Sequence, residues 1–334
     1  MMRDRGKTAL KNNKHHVPLD KKNAALSAPY MLWMIVFIVV PLILIAVFAF
    51  TTKVYINPET GKTFTDAEIE TIEEEYGSFD DYVSELNEND DTALEEKTVF
   101  TFENITKVSD YMPVLIHSVW LAALATVICL VIGYPISYII SRTHPSRQKA
   151  FLMLIILPMW MNFLLRTYAW MTLLERNGWI NRFFGLIGIG PFNMINTQGA
   201  VILGMVYNYL PFMILPLYSI MTKIEDYTIE AAQDLGANSV RVFSKVVIPL
   251  SMPGIASGIT MVFVPAVSTF IISRMLGGGS NMLIGDLIEL QFLGNSYNPN
   301  LGAAISLVLM VFVLLCMTLT NQLDNEETDG GVLM

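Results

Sequence analysis

Charged residues are scarce in this chain: Asp, Glu, Lys and Arg make up only 15% of its 334 residues, whereas 53% are apolar. Soluble globular proteins carry about 25% charged residues, so the composition excludes an ordinary soluble enzyme. Cysteine and histidine are also rare, with two and four copies, and neither a CxxC nor an HExxH spacing occurs. Disulfide scaffolds and metal sites built from these residues are therefore not expected.

A phosphate-binding loop is absent as well. The tripeptide Gly-Lys-Thr occurs at 6–8 and 61–63, but Met1 and Ile56 stand where such a loop needs its first glycine. No acid–base pair or activated nucleophile converges in the sequence, so we expect neither an enzyme nor a bound cofactor. The net charge of −9 has the wrong sign for a nucleic-acid partner.

Six apolar stretches are long enough to cross a bilayer, which takes about 20 residues. They cover residues 31–50, 114–141, 150–174, 199–221, 254–273 and 302–320. Backbone polar groups in lipid must be satisfied within each segment, and the alternation typical of a barrel strand is missing. The sequence therefore predicts an all-α membrane protein with six transmembrane helices.

The distribution of Lys and Arg predicts the orientation. Basic residues concentrate before the first stretch, after the second and after the fourth, which places both termini in the cytoplasm. The resulting division is a basic cytoplasmic tail (1–28), a first transmembrane helix (29–50), an acidic extracytoplasmic insert (51–112), a core of five helices (113–320) and a cytoplasmic tail (321–334).

The insert holds 17 acidic and 4 basic residues, a local charge of −13, and the rest of the chain carries +4. Two interpretations remain open. Such a field can concentrate cations near the membrane and speed their encounter with a site. Its low apolar content is equally typical of a solvated loop without a packed core.

Residues 225–250 differ from the apolar body and read as two short helices. The first, over about 228–235, places Ile229, Ala232 and Leu235 on one face and ends at Gly236. The second begins near Asn238 or Ser239, which are good caps, and groups Val240, Phe243 and Val247. An amphipathic helix–turn–helix fits a groove in a partner protein, although an interfacial loop lying on lipid has the same pattern.

The spacing of particular residues in this segment favours the partner-binding helix–turn–helix over the interfacial loop. It resembles the EAA–G–I-x-L-P loop of permease subunits of bacterial ABC importers, with Glu230-Ala231-Ala232, Gly236, Val246, Ile248 and Pro249 at the matching positions. The resemblance implies the type I permease fold. It also implies that the segment docks on a separate ATPase, through Glu230, Ala231, Ala232, Gly236, Val240 and Phe243.

Over roughly residues 98–320 the chain resembles the spermidine/putrescine group of these permeases. The matching stretches include Arg166–Trp170, Gly133–Pro135, Gly277-Gly278 and Gln291-Phe292. Thr269 and Ser273 replace the Glu and Pro that the group commonly has before the double glycine, and Arg274 follows. The resemblance implies a polyamine importer in the bacterial cytoplasmic membrane. Its other parts are two ATPase subunits that bind ATP and Mg, a second homologous permease and an extracytoplasmic solute-binding protein.

Five residues are candidates for the solute pathway. Trp160, Tyr168 and Trp170 can hold ammonium groups by cation–π attraction, or they belong to an interfacial aromatic belt. Asp286 and Glu289, three residues apart on one helical face, are candidate cation contacts or solvated acids. Another solute, a membrane-embedded enzyme and a sensory scaffold remain as alternatives to polyamine import.

Overall fold

The computed structural model describes residues 29–56, 64, 72, 76–77, 79, 81–83, 95–294 and 297–330. The two strands are β1 (Thr51–Ile56) and β2 (Glu95–Phe100). The helices are α1 (Pro29–Ala49), α2 (Glu103–Lys107), α3 (Met112–Ser141), α4 (Pro145–Ile156), α5 (Phe163–Leu174), α6 (Trp179–Leu186), α7 (Gln198–Met221), α8 (Asp226–Asp234), α9 (Ser239–Leu250), α10 (Met252–Val267), α11 (Ile271–Gly277), α12 (Ile284–Leu293) and α13 (Pro299–Gly330).

By its contacts the chain divides into two units, Met1–Ile45 and Ala46–Met334. The described part of the first unit is residues 29–45 of α1, an apolar helix with no buried residue. The second unit contains everything from the end of α1 onward. The expected tail from residue 321 begins as a continuation of α13, which runs to Gly330.

Membrane-spanning candidates in the described residues agree with a polytopic helical protein. Four continuous helices are long and apolar enough: Pro29–Ala49, Glu103–Ser141, Gln198–Met221 and Pro299–Thr320. Two further pairs qualify as bent spans, namely 145–160 with 163–186, at 91°, and 239–250 with 252–267, at 65°. Counting each pair once gives six spans, the number that the sequence predicts, although α10 ends at Val267 and the last residues of the predicted stretch 254–273 lie in α11.

The third predicted span, 150–174, is broken rather than continuous. A short 3-10 turn that contains Pro158 follows α4, and α5 starts afresh after Asn162. The Asn162 side chain accepts the backbone N–H of Leu164 at 2.8 Å, which caps the new helix. Proline lacks an N–H and the cap satisfies the next turn, so the chain changes direction here at little cost.

Helix α7 lies at the centre of the second unit and packs against α3 and α10. Its side chains Met205, Met213 and Leu217 are fully buried, as is Leu121 of α3. Polar side chains in this core bond within the protein: the Ser137 hydroxyl donates to the carbonyl of Ile214 at 3.2 Å. The three helices therefore form one packed scaffold, from which the loops between spans project.

Strands β1 and β2 pair antiparallel at the base of the acidic insert, with Thr51 opposite Phe100 and Ile56 opposite Glu95. The buried Asn104 side chain fastens this base by donating to the carbonyl of Thr51 at 2.9 Å. Most of residues 57–94 lie outside the described residues. Electrostatic attraction of cations by the insert therefore stays a prediction.

Candidate functional site

The segment between α7 and α10 folds as a helix–turn–helix. Helix α8 ends at Asp234, and Gly236 follows with φ +85°. The N–H of Gly236 donates to the carbonyl of Gln233 at 2.8 Å, and that of Ala237 donates to Ala232 at 3.1 Å. Glycine adopts this left-handed conformation without the strain that a Cβ adds. Asn238 then caps α9, accepting the N–H of Arg241 at 2.9 Å.

The apolar side chains of the segment divide between two sides. Ile229, Ala232 and Phe243 pack on a buried cluster formed by Ile224, Val242 and Val247. Leu235 does not join Ile229 and Ala232, because α8 has ended before it, and it is 91% exposed. The segment therefore keeps one apolar side against the scaffold and leaves other apolar groups uncovered.

The grouping of Val240, Phe243 and Val247 on one face is also not observed. Val240 is 74% exposed, whereas Val247 is fully buried. A π-helical turn over Phe243–Val247 separates them. A π-turn inserts one residue into the helical repeat, so Val242 replaces Val240 on the buried side.

Two anchors hold the segment to α3. The ring of Phe243 stands edge-on to Tyr134 and Tyr138, with centroids 5.4 and 5.6 Å apart. Arg142, at the end of α3, donates from Nη1 to the carbonyl of Ile224 at 3.0 Å and to the Asp226 carboxylate at 2.6 Å. These contacts join the segment directly to α3. The sequence feature that could have indicated this contact is a basic residue, Arg142, directly after the second span and an acid, Asp226, shortly after the fourth.

The residues expected to dock on an ATPase lie on both sides of this segment. Glu230, Ala231, Gly236 and Val240 are exposed, while Ala232 and Phe243 are half-buried against the scaffold. Val240, Leu235 and the 67% exposed Tyr227 are apolar side chains of the segment that remain uncovered. We name Tyr227, Leu235 and Val240 the exposed segment surface.

The aromatic candidates of the third span differ in their surroundings. Trp160 is 77% exposed and lies in the 3-10 turn before the break, whereas Tyr168 is 53% exposed on α5. Trp170 instead packs edge-on against Tyr207 of α7, at 5.2 Å between centroids. Arg166, half-buried on α5, lies over the ring of Phe163 at 5.9 Å.

Asp286 and Glu289, in contrast, line one cavity between α11 and α12 together with Arg274. Arg274 donates from Nη1 to Glu289 Oε1 at 2.9 Å. Asp286 is 95% buried, and its Oδ2 accepts the N–H of Leu283 at 2.9 Å, which closes the first turn of α12. Sequence reasoning placed the two acids on one face but gave Arg274 no role.

Close backbone packing holds the start of α12 in this position. A Cβ built on Gly285 would lie 2.6 Å from the carbonyl oxygens of both Ser268 and Thr269. Backbone atoms cannot retreat as a flexible side chain can, so only glycine lets α12 approach the end of α10 so closely. The approach buries the neighbouring carboxyl of Asp286.

The family described as "Binding-protein-dependent transport system inner membrane component" matches residues 133–325. This chain belongs to that family. The permease is 40% identical over 225 residues to the spermidine/putrescine transport system permease protein PotB of Escherichia coli K12, covering 66% of this chain and 82% of that protein. It is 39% identical to PotB of Haemophilus influenzae, covering 69% and 82%.

Solved structures support the fold of the permease. A chain of a bacterial alginate ABC transporter, crystallised with an alginate-bound periplasmic protein, matches with a TM-score of 0.62. The match covers 92% of this chain and 95% of that one at 14% identity, so the likeness concerns the fold alone. The family match and the apolar helices make the permease a multi-pass protein of the cytoplasmic membrane.

Asp286→Asn is expected to stabilise the permease at about pH 7. Burial raises the pKa of the Asp286 carboxyl from 3.8, and Glu289 acts in the same direction, while the Ser273 side chain, the Leu283 N–H and Arg274 oppose it. Stability contributed by a raised carboxyl pKa is complete below the unfolded pKa and is lost as pH rises through the folded value. Asparagine keeps an oxygen to accept the Leu283 N–H and carries no charge.

The check is the melting temperature of the purified complex as a function of pH. We expect the Asp286→Asn variant to melt about 2 °C higher than the wild type near neutral pH, with the difference vanishing toward about pH 4. A lower melting temperature at every pH would show that the carboxylate is a stabilising group instead.

Proposed function

We propose that this permease is one of two permease subunits of an ATP-driven importer for polyamines, and that it forms half of the translocation pathway. The observation that carries the solute assignment is the 40% identity to a protein named as a spermidine/putrescine permease, over 82% of that protein's length. An extracytoplasmic solute-binding protein delivers the solute, and a second, homologous permease completes the pathway.

Coupling to ATP is assigned to the helix–turn–helix segment. The exposed segment surface offers Tyr227, Leu235 and Val240, which are 67%, 91% and 74% exposed, to a partner. Such apolar groups on a charged loop suit a protein groove better than water. The partner is an ATPase, present in two copies, which binds ATP and Mg. This chain has no phosphate-binding loop and performs no covalent chemistry.

Transport requires that ligands change the populations of two states of the importer, one open to the outside and one open to the cytoplasm. ATP closure of the ATPase pair and docking of the loaded binding protein must each favour the outward-open state over the inward-open one. A ligand with equal affinity for both states shifts neither. The Arg142 and Phe243 anchors connect the segment to α3, so the movement of the ATPase reaches a helix of the scaffold.

Orientation is tested by cysteine labelling in a version with Cys129→Ala and Cys316→Ala. Both termini, α8 and the start of α9 are assigned to the cytoplasm, and the end of α6 to the outside. Leu186 is 86% exposed and Ser239 is exposed, so a cysteine at either position is accessible. A membrane-impermeant maleimide should label Leu186→Cys in intact cells and Ser239→Cys only after lysis. Labelling of Ser239→Cys in intact cells would contradict the orientation.

The solute is tested in cells that lack their own polyamine importers. Uptake of labelled spermidine and putrescine should require this permease together with its ATPase, second permease and binding protein. Omission of this chain alone is the matched control and should return uptake to background. Competition by an unlabelled anion or sugar, with none by polyamines, would overturn the solute assignment and leave the family membership intact.

A further inference from the structure

A cavity of about 290 Å³ lies between α11 and α12, in the loop that joins the last two spans. Its charged lining consists of Arg274, Asp286 and Glu289, and its apolar lining includes Met282, Leu290 and Leu293. The cavity is large enough for the end of an alkyl amine. It thus combines an apolar wall with a small set of charged groups.

The charges of this cavity do not balance. Arg274 forms its ion pair with Glu289, using two guanidinium nitrogens and both carboxylate oxygens. Asp286 is 5% exposed, and its Oδ2 is used by the Leu283 N–H. Its Oδ1 is buried, and the neighbouring side chain that can donate to the carboxylate is Ser273. The Ser273 hydroxyl beside it donates to the carbonyl of Phe270, at 2.9 Å.

Two carboxylates and one guanidinium leave a surplus of one negative charge when all three are ionised. A buried carboxylate oxygen is costly unless a donor reaches it. The lining therefore favours a cationic hydrogen-bond donor and disfavours an anion. The burial of Asp286 raises the affinity of that oxygen for such a donor, because few waters compete.

The donor best matched to this cavity is a primary ammonium group. It is compact, carries three N–H donors, and can follow an alkyl chain that lies on Met282 and Leu290. A divalent metal is disfavoured, because Ca²⁺ takes six to eight oxygen ligands, roughly, and the described residues contain no group of three His, Cys, Asp or Glu that could hold a metal.

We propose that this cavity binds one primary ammonium group of the transported cation beside the carboxyl groups of Asp286 and Glu289, and that Arg274 is a built-in counter-cation which the ammonium displaces from Glu289. The proposal rests on the proposed function, because it takes the solute to be a polyamine. In this proposal Arg274 competes with the ammonium group of the solute for Glu289. A purely structural pair would have no such effect.

A matched pair of variants separates these two roles. Arg274→Gln and Glu289→Gln break the same ion pair, so a purely structural pair predicts the same loss for both. A competing counter-cation predicts opposite effects. The measurement is equilibrium binding of radiolabelled spermidine to the purified permease–ATPase complex without the binding protein. Glu289→Gln should weaken binding about tenfold and Arg274→Gln should strengthen it several-fold.

Asp286→Asn supplies the third variant, because it keeps the oxygen that accepts the Leu283 N–H and loses only the charge. Spermidine binding should again weaken about tenfold. Glu175→Gln, at an exposed acid that does not line the cavity, makes the same change in net charge. It should leave binding unchanged, which excludes a general electrostatic effect of net charge.

Three results would overturn the inference. One is an equal loss in Arg274→Gln and Glu289→Gln that the reversed pair Arg274→Glu with Glu289→Arg restores. Another is unchanged binding in Asp286→Asn. The third is polyamine uptake by the intact importer without spermidine binding to the isolated complex. If the intact importer transports no polyamine at all, the proposed function fails first, and the two failures are thereby distinguished.

Discussion

Replacement of Gly236 by proline is expected to abolish ATP-driven uptake while the permease remains in the membrane. Gly236 has φ +85°, and its N–H donates to the carbonyl of Gln233 at 2.8 Å. Proline is fixed near φ −65° and has no N–H, and it costs about 3 kcal/mol or more where the backbone cannot follow. The turn between α8 and α9 would therefore reopen, and the exposed segment surface would lose its shape.

The scaffold should tolerate this change, because a Cβ at position 236 meets no atom within 4 Å. The measurements are uptake and membrane abundance of the variant importer, together with the ATP hydrolysis rate of the purified complex. Uptake should fall by more than about tenfold. Gly236→Asn is the matched control, since asparagine tolerates the left-handed conformation, and it should retain most activity. Full uptake by Gly236→Pro would exclude a coupling role for this turn.

The second large effect is expected from a charge on the exposed segment surface. In the double variant Leu235→Asp with Val240→Asp, the ATPase should no longer copurify with the permease. Both side chains are uncovered, at 91% and 74% exposure, so the permease itself has little to lose. Burial of one leucine against a partner is worth about 1.5–3 kcal/mol, roughly tenfold or more in affinity, and a buried unpaired carboxylate costs more.

Gln233→Asp is the matched control for this variant. Gln233 is exposed on α8, so the substitution adds a negative charge to the same segment without removing an apolar group. Copurification of the ATPase should survive it. Retention of the ATPase by the double variant, with normal uptake, would show that the docking surface lies elsewhere.

The spans were predictable where a helix is long, apolar and continuous. The predicted stretches 114–141 and 199–221 correspond to α3 (Met112–Ser141) and α7 (Gln198–Met221), because hydropathy alone defines such helices. The break in the third span was not predictable in the same way. Pro158 and Asn162 are compatible with a kinked continuous helix, and only the packing of both halves selects the 91° bend.

In the helix–turn–helix segment, the sequence pattern predicts the helix ends better than the faces of the helices. Capping by Asn238 and termination near Gly236 follow from local chemistry and agree with the structure. The predicted faces agree less well: Leu235 lies beyond the end of α8, and the π-turn over Phe243–Val247 shifts the repeat of α9 by one residue. Phe243, the first residue of this turn, contacts Tyr134 and Tyr138 of α3, and no local pattern contains such tertiary contacts.

The sequence predicts the two acids that line the cavity but not the position of Arg274. Asp286 and Glu289 share a face because α12 is a helix, and their spacing alone indicates this. Arg274 lies on a different helix, and its pairing with Glu289 depends on how α11 and α12 meet. The burial of Asp286 depends on Gly285 approaching the backbone of residues 268–269. The only sequence feature that pointed to this pairing is that Arg274 is a basic residue in the same loop as the acids Asp286 and Glu289.

The most direct measurement of the central claim is uptake of labelled spermidine into liposomes that contain the purified importer, with ATP trapped inside and the binding protein outside. The account predicts accumulation that requires both ATP and the binding protein, and that is lost in Gly236→Pro but retained in Gly236→Asn. Accumulation without ATP, or accumulation of an anionic or uncharged solute in place of spermidine, would contradict it.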